Sequence, residues 1–308
     1  MDRLKELELF VRVVETGSLS KAALALDLSN AAASRHLASL EARLAVRLVE
    51  RNTRRLYPTG EGQAFFSRAR AILNDLADAE SEVNSATLDP SGTLRISASL
   101  SFAMQLIAPR IGDYTQRYPK VKVHIEASNR YLDLIDNGID VAVRTREMEP
   151  DSNITIRRLA TTRRILVASP KYLTRMGTPQ HPSDLSAHQL LVYLHANNPN
   201  ELRFTQGDAA VVVPALGLLE SNDGQILRAA ALEGTGILVQ PTYIVFEDIV
   251  AGRLVPILDD WDLPRLHINL AYPSRKHLSA KVRSFIDFMV EEFERHDYER
   301  KWTGHQGF

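Results

Sequence analysis

The feature that most constrains this chain lies between residues 60 and 88. Phe65, Ala69, Ile72, Leu76, Ala79, Val83 and Ala86 recur at alternating steps of four and three. This is an unbroken seven-residue repeat with apolar residues at both seam positions, and it predicts one long helix, 60–88, that favours self-association as a coiled coil. At 1.5 Å per residue such a helix is roughly 40 Å long. Packing of the same helix on its own domain is the competing reading. The acidic outer face and the strictness of the repeat favour the dimer, and the small alanines at the seam predict a close but not strong pairing.

Before this helix the pattern is helical. Leu4, Leu7, Phe10, Val11 and Val14 share one helix face, and Gly17 ends that helix. Ser18 is placed to cap a second helix carrying Ala22, Ala23 and Leu26. After a turn at Asp27-Leu28, Ser29 is placed to cap a third. There Ala33, Leu37, Leu40 and Leu44 form one buried stripe. Helix, tight turn, helix is the helix-turn-helix layout. Next, residues 47–51 and 54–57 flank Asn52-Thr53 and are closed by Pro58, which reads as a short two-stranded ribbon, or wing. Between Leu28 and Arg70 eight arginines stand against three glutamates, whereas Ala71 to Leu88 holds four acids and no base. The net charge of −1 over the whole chain hides this asymmetry. A basic patch confined to one region is the footprint of a nucleic-acid-binding module, although on charge alone a solvated surface is the better reading.

Asp89-Pro90-Ser91-Gly92 breaks the long helix, and beyond it strands alternate with helices. TLRISAS, VKVHIEA and DVAVR read as strands, with helices over 104–117 and 131–137. RILVAS opens a second block that includes LLVYL, a hairpin at Gly207-Asp208, a helix over 224–232 and GILVQP. LHINLAY at 266–272 and a helix near 279–295 return to the first pattern. The expected architecture is α/β with a mainly parallel sheet, in two lobes with a ligand-sized cleft between them. The charged tail from Asp297 is expected to be loosely held.

Several classes are excluded. The 308 residues contain no cysteine, so disulfides, thiolate metal sites and cysteine nucleophiles are absent. No histidine pair has metal-ligand spacing, and no phosphate loop or Gly-x-Ser-x-Gly elbow occurs. Gly234-Thr235-Gly236 is too short for a dinucleotide fingerprint and precedes a strand instead of following one. No catalytic residue, metal site or cofactor is therefore expected. The N-terminus is charged and amphipathic, unlike a signal peptide, and no apolar run could span a bilayer. A cytoplasmic location without membrane contact is expected.

The stretches LELFVRVVETGSLSKAALALDLSNAAASRHLASLEARL and LVERNTRRLYPTGEG, followed by NGIDVAVR, LVASPKYL and LEGTGILVQP, resemble the LysR-type transcriptional regulators over nearly the whole chain. The resemblance implies a winged helix-turn-helix, a dimerising linker helix and a two-lobed effector domain similar to periplasmic binding proteins, usually assembled as homotetramers. The expected division is 1–58 for the DNA-binding domain, 59–89 for the linker helix and 92–300 for the effector domain. Lobe I would comprise 92–163 plus 265–300, and lobe II 164–264. The family often has glutamine, proline and a larger aliphatic where this chain has Asn30, Ala31 and Ala33.

A recognition helix reads base edges with its N-terminal residues, and small side chains let its backbone approach the groove. Asn30, Ala31, Ser34 and Arg35 are thus the expected DNA-facing set, while His36 reads as a solvated bystander. Arg51, Arg54 and Arg55 are the wing candidates, Arg51 being equally readable as an ion-pair partner of Glu41 or Glu50. Ligands of open α/β sheets sit at strand C-termini. The effector candidates are therefore Ser99, Ser101, Phe102, Ser128, Asn129, Arg144, Thr145, His195 and Asn222, with Arg144 as charge partner of a small organic anion such as an aromatic or aliphatic carboxylate. Each serine and threonine taken singly reads as an ordinary cap. The expected partners are double-stranded DNA, the small-molecule effector, further copies of this chain and RNA polymerase. A solute-binding protein or a small-molecule enzyme built on the two-lobed domain is the alternative.

Overall fold

The computed structural model describes residues 2–51, 56–83, 90–147, 154–274 and 278–304, and for 51, 74, 75 and 77–83 the backbone alone. Three helices come first: α1 (Arg3–Thr16), α2 (Leu19–Ala25) and α3 (Asn30–Leu44). Their starts are set by side chains that satisfy orphan N–H groups. Asp2 accepts from Leu4, Ser18 from Lys21 and Ser29 from Ala32. Gly17 ends α1 at φ 61°, a left-handed conformation that glycine adopts without strain. Leu9, Phe10 and Val13 of α1 meet Ala22 and Ala23 of α2 and the Ala33, Leu37 and Leu40 stripe of α3 in one core. Burying a leucine such as Leu40 contributes about 1.5–3 kcal/mol.

Strands β1 (Val49–Arg51) and β2 (Leu56–Pro58) pair antiparallel, with Glu50 opposite Tyr57. The Glu41 carboxylate accepts the N–H groups of Leu48 and Val49 at 2.8 and 3.2 Å, which fastens the ribbon to α3. Glu41 thus spends its carboxylate on the backbone of β1. Arg54 and Arg55 lie outside the described residues, as does the side chain of Arg51.

Thr59 caps α4 (Gly60–Val83), accepting from Gly62 at 2.9 Å. The expected helix ran on to 88, and 84–89 lie outside the described residues. The repeat serves two purposes. Phe65 and Ala69 pack into the N-terminal core, Phe65 lying 5.5 Å from the Phe10 ring. Ile72, one turn on, is 50% exposed. Two of the arginines in the basic stretch face the α/β domain: Arg68 pairs with Asp136 at 3.0 Å, and Arg70 donates to the Asn137 carbonyl.

The rest of the chain runs β3 (Gly92–Ala98), α5 (Leu100–Phe102), α6 (Ile111–Arg117), β4 (Val121–Ala127), β5 (Val141–Arg146), β6 (Ile154–Thr162), β7 (Arg164–Ala168), α7 (Pro170–Met176), β8 (Leu190–Tyr193), β9 (Glu201–Gln206), β10 (Ala209–Pro214), β11 (Gly217–Ser221), α8 (Gly224–Leu232), β12 (Ile237–Pro241), α9 (Thr242–Val250), β13 (Val255–Ile257), β14 (Leu266–Pro273), α10 (Ala280–Arg295) and α11 (Tyr298–Thr303). One five-stranded sheet has the order β4-β3-β5-β14-β6 and the other β11-β8-β12-β7-β13, with β9 and β10 forming a separate hairpin. The sheets are mixed, not mainly parallel. β14 runs antiparallel to both β5 and β6, and β7 antiparallel to β12 and β13. The chain leaves lobe I at the end of β6 and returns beside that same end, Leu266 lying opposite Thr162, so β14 runs back antiparallel.

Two expected helices differ. Residues 131–133 are irregular and 134–138 form turns, Asn137 and Ile139 bonding back to Asp133 and Leu134 around Gly138 at φ 59°. The 104–117 segment is broken into a π-turn over Ala103–Ile107, a 3-10 turn over Ala108–Arg110 and α6. Pro109 has no N–H for the Gln105 carbonyl, which accepts from the Arg110 guanidinium at 3.2 Å instead.

The tail is docked, not loose. Tyr298 and Trp302 are buried one helical turn apart and stack at 4.5 Å. One hydrophobic core runs through both lobes, joining Leu94 and Ile96 of β3 to Val167 of β7, Leu238 of β12 and Trp302, and a second, with Leu166, Phe204 and Ile237, lies within lobe II. Arg163, 1% exposed at the crossover between β6 and β7, ties the two connections together. It donates to Asp259 and Asp262 at 3.0 Å each and to the Asp259 carbonyl at 2.9 Å.

Candidate functional site

Two sites emerge. In the N-terminal unit, Asn30, Ala31 and Arg35 are exposed and Ser34 half-exposed on the first turns of α3, opposite the face that buries Ala33 and Leu37. Ala38 continues that exposed face one turn on. His36 is half-buried, not solvated, and its Nδ1 is shielded without a hydrogen-bond partner. Helix α3 is braced from beneath by Glu6, which is 2% exposed and accepts from Ser39 at 2.7 Å and Arg43 at 2.8 Å. Burial pushes the Glu6 carboxyl up, but the bonds from Arg43 and Ser39 and the Arg43 charge outweigh it and hold the group below its ordinary value.

The second site is the cleft between the two large sheets. Ser99, Ser101, Ser128, Asn129, Arg144, Thr145 and His195 all line it. Phe102 does not: it is 1% exposed in the core, against Tyr243 and Phe293. Nor does Asn222 line the cleft, its carbonyl accepting from Asn129 across the lobes at 3.1 Å. Several hydroxyls are committed locally. Ser99 caps α5, accepting from Phe102 at 3.2 Å, and Ser128 closes a turn onto Arg130. Asn129 spans the lobes, its carbonyl oxygen accepting from Leu100 and its amide donating to Asp223 at 2.7 Å.

Other lining residues were not anticipated. Arg146 stacks on the Tyr131 ring at 3.6 Å, and Arg144 lies over the same ring at 5.7 Å. Arg164 approaches Glu147 at 3.5 Å; burial pulls its guanidinium down from its ordinary value, and Glu147 opposes that. Tyr193 and Tyr243 also line the cleft, and burial pushes both phenols up, so both stay protonated as donors. The neighbouring Thr145 and Ser99 hydroxyls work against that rise at Tyr243. The signals were present in the sequence. Arg146 stands two residues past Arg144 on one strand, hence on the same face, and Gln240 and Tyr243 flank the end of a strand, the rule that found the others.

Residues 4–63 match the family described as bacterial regulatory helix-turn-helix protein, lysR family, and residues 88–294 match the LysR substrate binding domain. The chain is a LysR-type transcriptional regulator. It is 36% identical over 291 residues to the HTH-type transcriptional regulator CrgA of Neisseria meningitidis serogroup C, covering 94% of this chain and 96% of CrgA. It is 34% identical to the regulator DmlR of Escherichia coli K12, covering 95% of each. The solved structure of Neisseria meningitidis CrgA superimposes with a TM-score of 0.62 at 35% identity, covering 94% of this chain and 98% of that one. The full-length structure of AphB, the Vibrio cholerae virulence activator, gives 0.61 at 30% identity, covering 94% and 99%. This LysR-type regulator, with its N-terminal helix-turn-helix domain, therefore binds DNA and is not an enzyme. Among its described residues no helix is long and apolar enough to cross a membrane, and no group of three or more histidines and acids is placed to hold a metal ion.

Proposed function

We propose that this regulator senses a small organic anion in the cleft between its lobes and that the occupied cleft alters how it binds or bends DNA. The observation that carries the reading is the charge of the lining. Arg144, Arg146 and Arg164 contribute guanidinium groups, and among the described residues that line the cleft none is an aspartate or glutamate, Glu147 meeting Arg164 from outside the lining. A low-dielectric cleft with one sign of charge favours the opposite sign in its ligand, and the ring walls of Tyr131, Tyr193 and Tyr243 suit a carboxylate with an apolar or aromatic body. Because one core joins the lobes and Arg163 pins their crossovers, the ligand acts by a small tightening of the cleft and not by a wide hinge.

On the DNA side, Asn30, Ala31, Ser34 and Arg35 face the major groove, with Arg51, Arg54 and Arg55 of the wing on the backbone. Two copies pair through the exposed part of the α4 seam, and pairs of dimers form a tetramer in the cytoplasm, where RNA polymerase is a further partner. The α4 stripe beyond Ala69, with Ile72 exposed, supports the pairing. A thermal-shift screen of the whole chain against small carboxylates and their uncharged methyl esters tests the effector reading. Carboxylates should raise Tm and change the footprint on promoter DNA. Stabilisation by the esters alone, or an unchanged footprint and bend with a stabilising acid bound, would sink it.

A further inference from the structure

Gln240 sits on β12 at the cleft wall, opposite Ile165 of β7, and is 3% exposed. Its amide nitrogen has no hydrogen-bond acceptor among the described residues. Buried amide nitrogens are almost always bonded, so an orphan donor on a ligand-sized cleft points to an acceptor that the chain does not supply. Ser101, 4% exposed, lies beside it. Its hydroxyl oxygen accepts from Gln225 at 2.9 Å, which leaves the hydroxyl proton for another partner.

Gly224 keeps this corner open. A methyl group there would lie 3.3 Å from the Gln240 nitrogen and 3.5 Å from the Ser101 oxygen, filling the space between them. The same corner disfavours a second negative charge. Asp223 precedes Gly224, and its carboxylate already caps α8 through Gln225 at 2.7 Å and Ile226 at 3.4 Å while accepting from Asn129. A fixed carboxylate one residue away repels an anion but tolerates a carbonyl or hydroxyl oxygen.

Resting on the reading of the cleft as an anion site, we propose that Gln240 and Ser101 form a neutral hydrogen-bonding subsite, so that the effector is a hydroxy- or oxo-carboxylate: an anion carrying a second, uncharged oxygen acceptor. The arginines take the charge, and Gln240 determines specificity.

Isothermal titration of the full chain with two matched sets tests this. One set is pentanoate, 4-oxopentanoate and pentanedioate; the other is benzoate, 4-hydroxybenzoate and benzene-1,4-dicarboxylate. In a set that binds, the oxo or hydroxy acid should bind about tenfold more tightly than its plain parent, the worth of one neutral hydrogen bond, and more tightly than the diacid. Gln240→Leu should bring that acid and its parent to within about twofold of each other. If Gln240→Leu does not melt cooperatively, Ser101→Ala carries the same comparison. Equal binding of parent and oxo acid, tighter binding of the diacid, or a preference that survives the substitution overturns this proposal alone. Failure of every acid in both sets to bind overturns the anion reading, and this proposal with it.

Discussion

Asn129 of lobe I donates its side-chain amide to the Asp223 carboxylate of lobe II at 2.7 Å, across the mouth of the cleft. Its carbonyl oxygen is held at the same time by the Leu100 N–H. The contact ties the two lobes together beside the cleft. Asn129→Ala should cost about 1–2 kcal/mol, the worth of a hydrogen bond to a charged group. Asn129→Asp should cost more, because it sets two carboxylates against each other. Calorimetric melting of the three proteins checks the order; equal losses for the two variants would show that Asp223 is not the partner.

The Glu6 carboxylate gives the DNA-binding unit an acid-sensitive joint. Its folded pKa lies below the ordinary 4.5, so its contribution is fully present above that value and is lost as the pH falls through the folded pKa. Unfolding free energy followed from pH 7 to pH 3 should therefore fall less steeply in Glu6→Gln than in the parent. The substitution should also lower stability at pH 7, since Arg43 and Ser39 lose a charged acceptor.

Arg163 is a fully buried guanidinium, and its charge is matched by Asp259 and Asp262. Arg163→Met leaves those acids facing each other and should cost about 3–5 kcal/mol. Arg163→Lys keeps the charge but loses the fork that reaches both acids, so it should recover only part of the loss. Thermal denaturation read by near-UV circular dichroism measures both.

Gly236 sits where a side chain cannot. A methyl group there would come within 2.6 Å of the Gln189 carbonyl oxygen. Gly236→Ala should destabilise the effector domain by about 1–3 kcal/mol through overpacking. By contrast Gly112→Ala, where nothing lies within 4 Å, should be neutral or mildly stabilising. A shared melting shift would contradict this account of the glycine-rich turn.

On DNA, Arg55→Ala in the wing should weaken binding to every sequence alike and lower the slope of log K against log salt by about 1. Asn30→Ala should instead relax the preference at one base pair per half-site by about 1–3 kcal/mol. Gel-shift titrations at several salt concentrations separate the two behaviours.

The sequence was most legible where a local pattern decides the outcome. Ser18 and Ser29 cap the helices that their positions announce, and the stripe of Ala33, Leu37 and Leu40 is buried as its spacing requires. It was least legible where distant segments decide. Nothing local to Tyr131 says that its ring will receive Arg144 and Arg146 instead of a helical neighbour. Phe102 looked like a cleft residue from its position after a strand, but α9 and α10 come back to cover it with Tyr243 and Phe293. The tail looked polar because charges outnumber rings there; Tyr298 and Trp302, spaced one turn apart, outweigh them once a groove exists to receive them.

The placement of β14 between β5 and β6 also fixes an order of assembly on the ribosome. Every strand of the lobe II sheet comes from the uninterrupted stretch between β7 and β13, so that sheet can close while the chain is still being made. Lobe I has to wait with a gap in its sheet, since β14, α10 and the Trp302 helix emerge last. At about 5–20 residues per second that interval spans seconds. During it the facing edges of β5 and β6 are unpaired strands open to the wrong neighbour. The regulator's most vulnerable moment is therefore in its synthesis, while the nascent chain lacks the strand that fills the gap between β5 and β6.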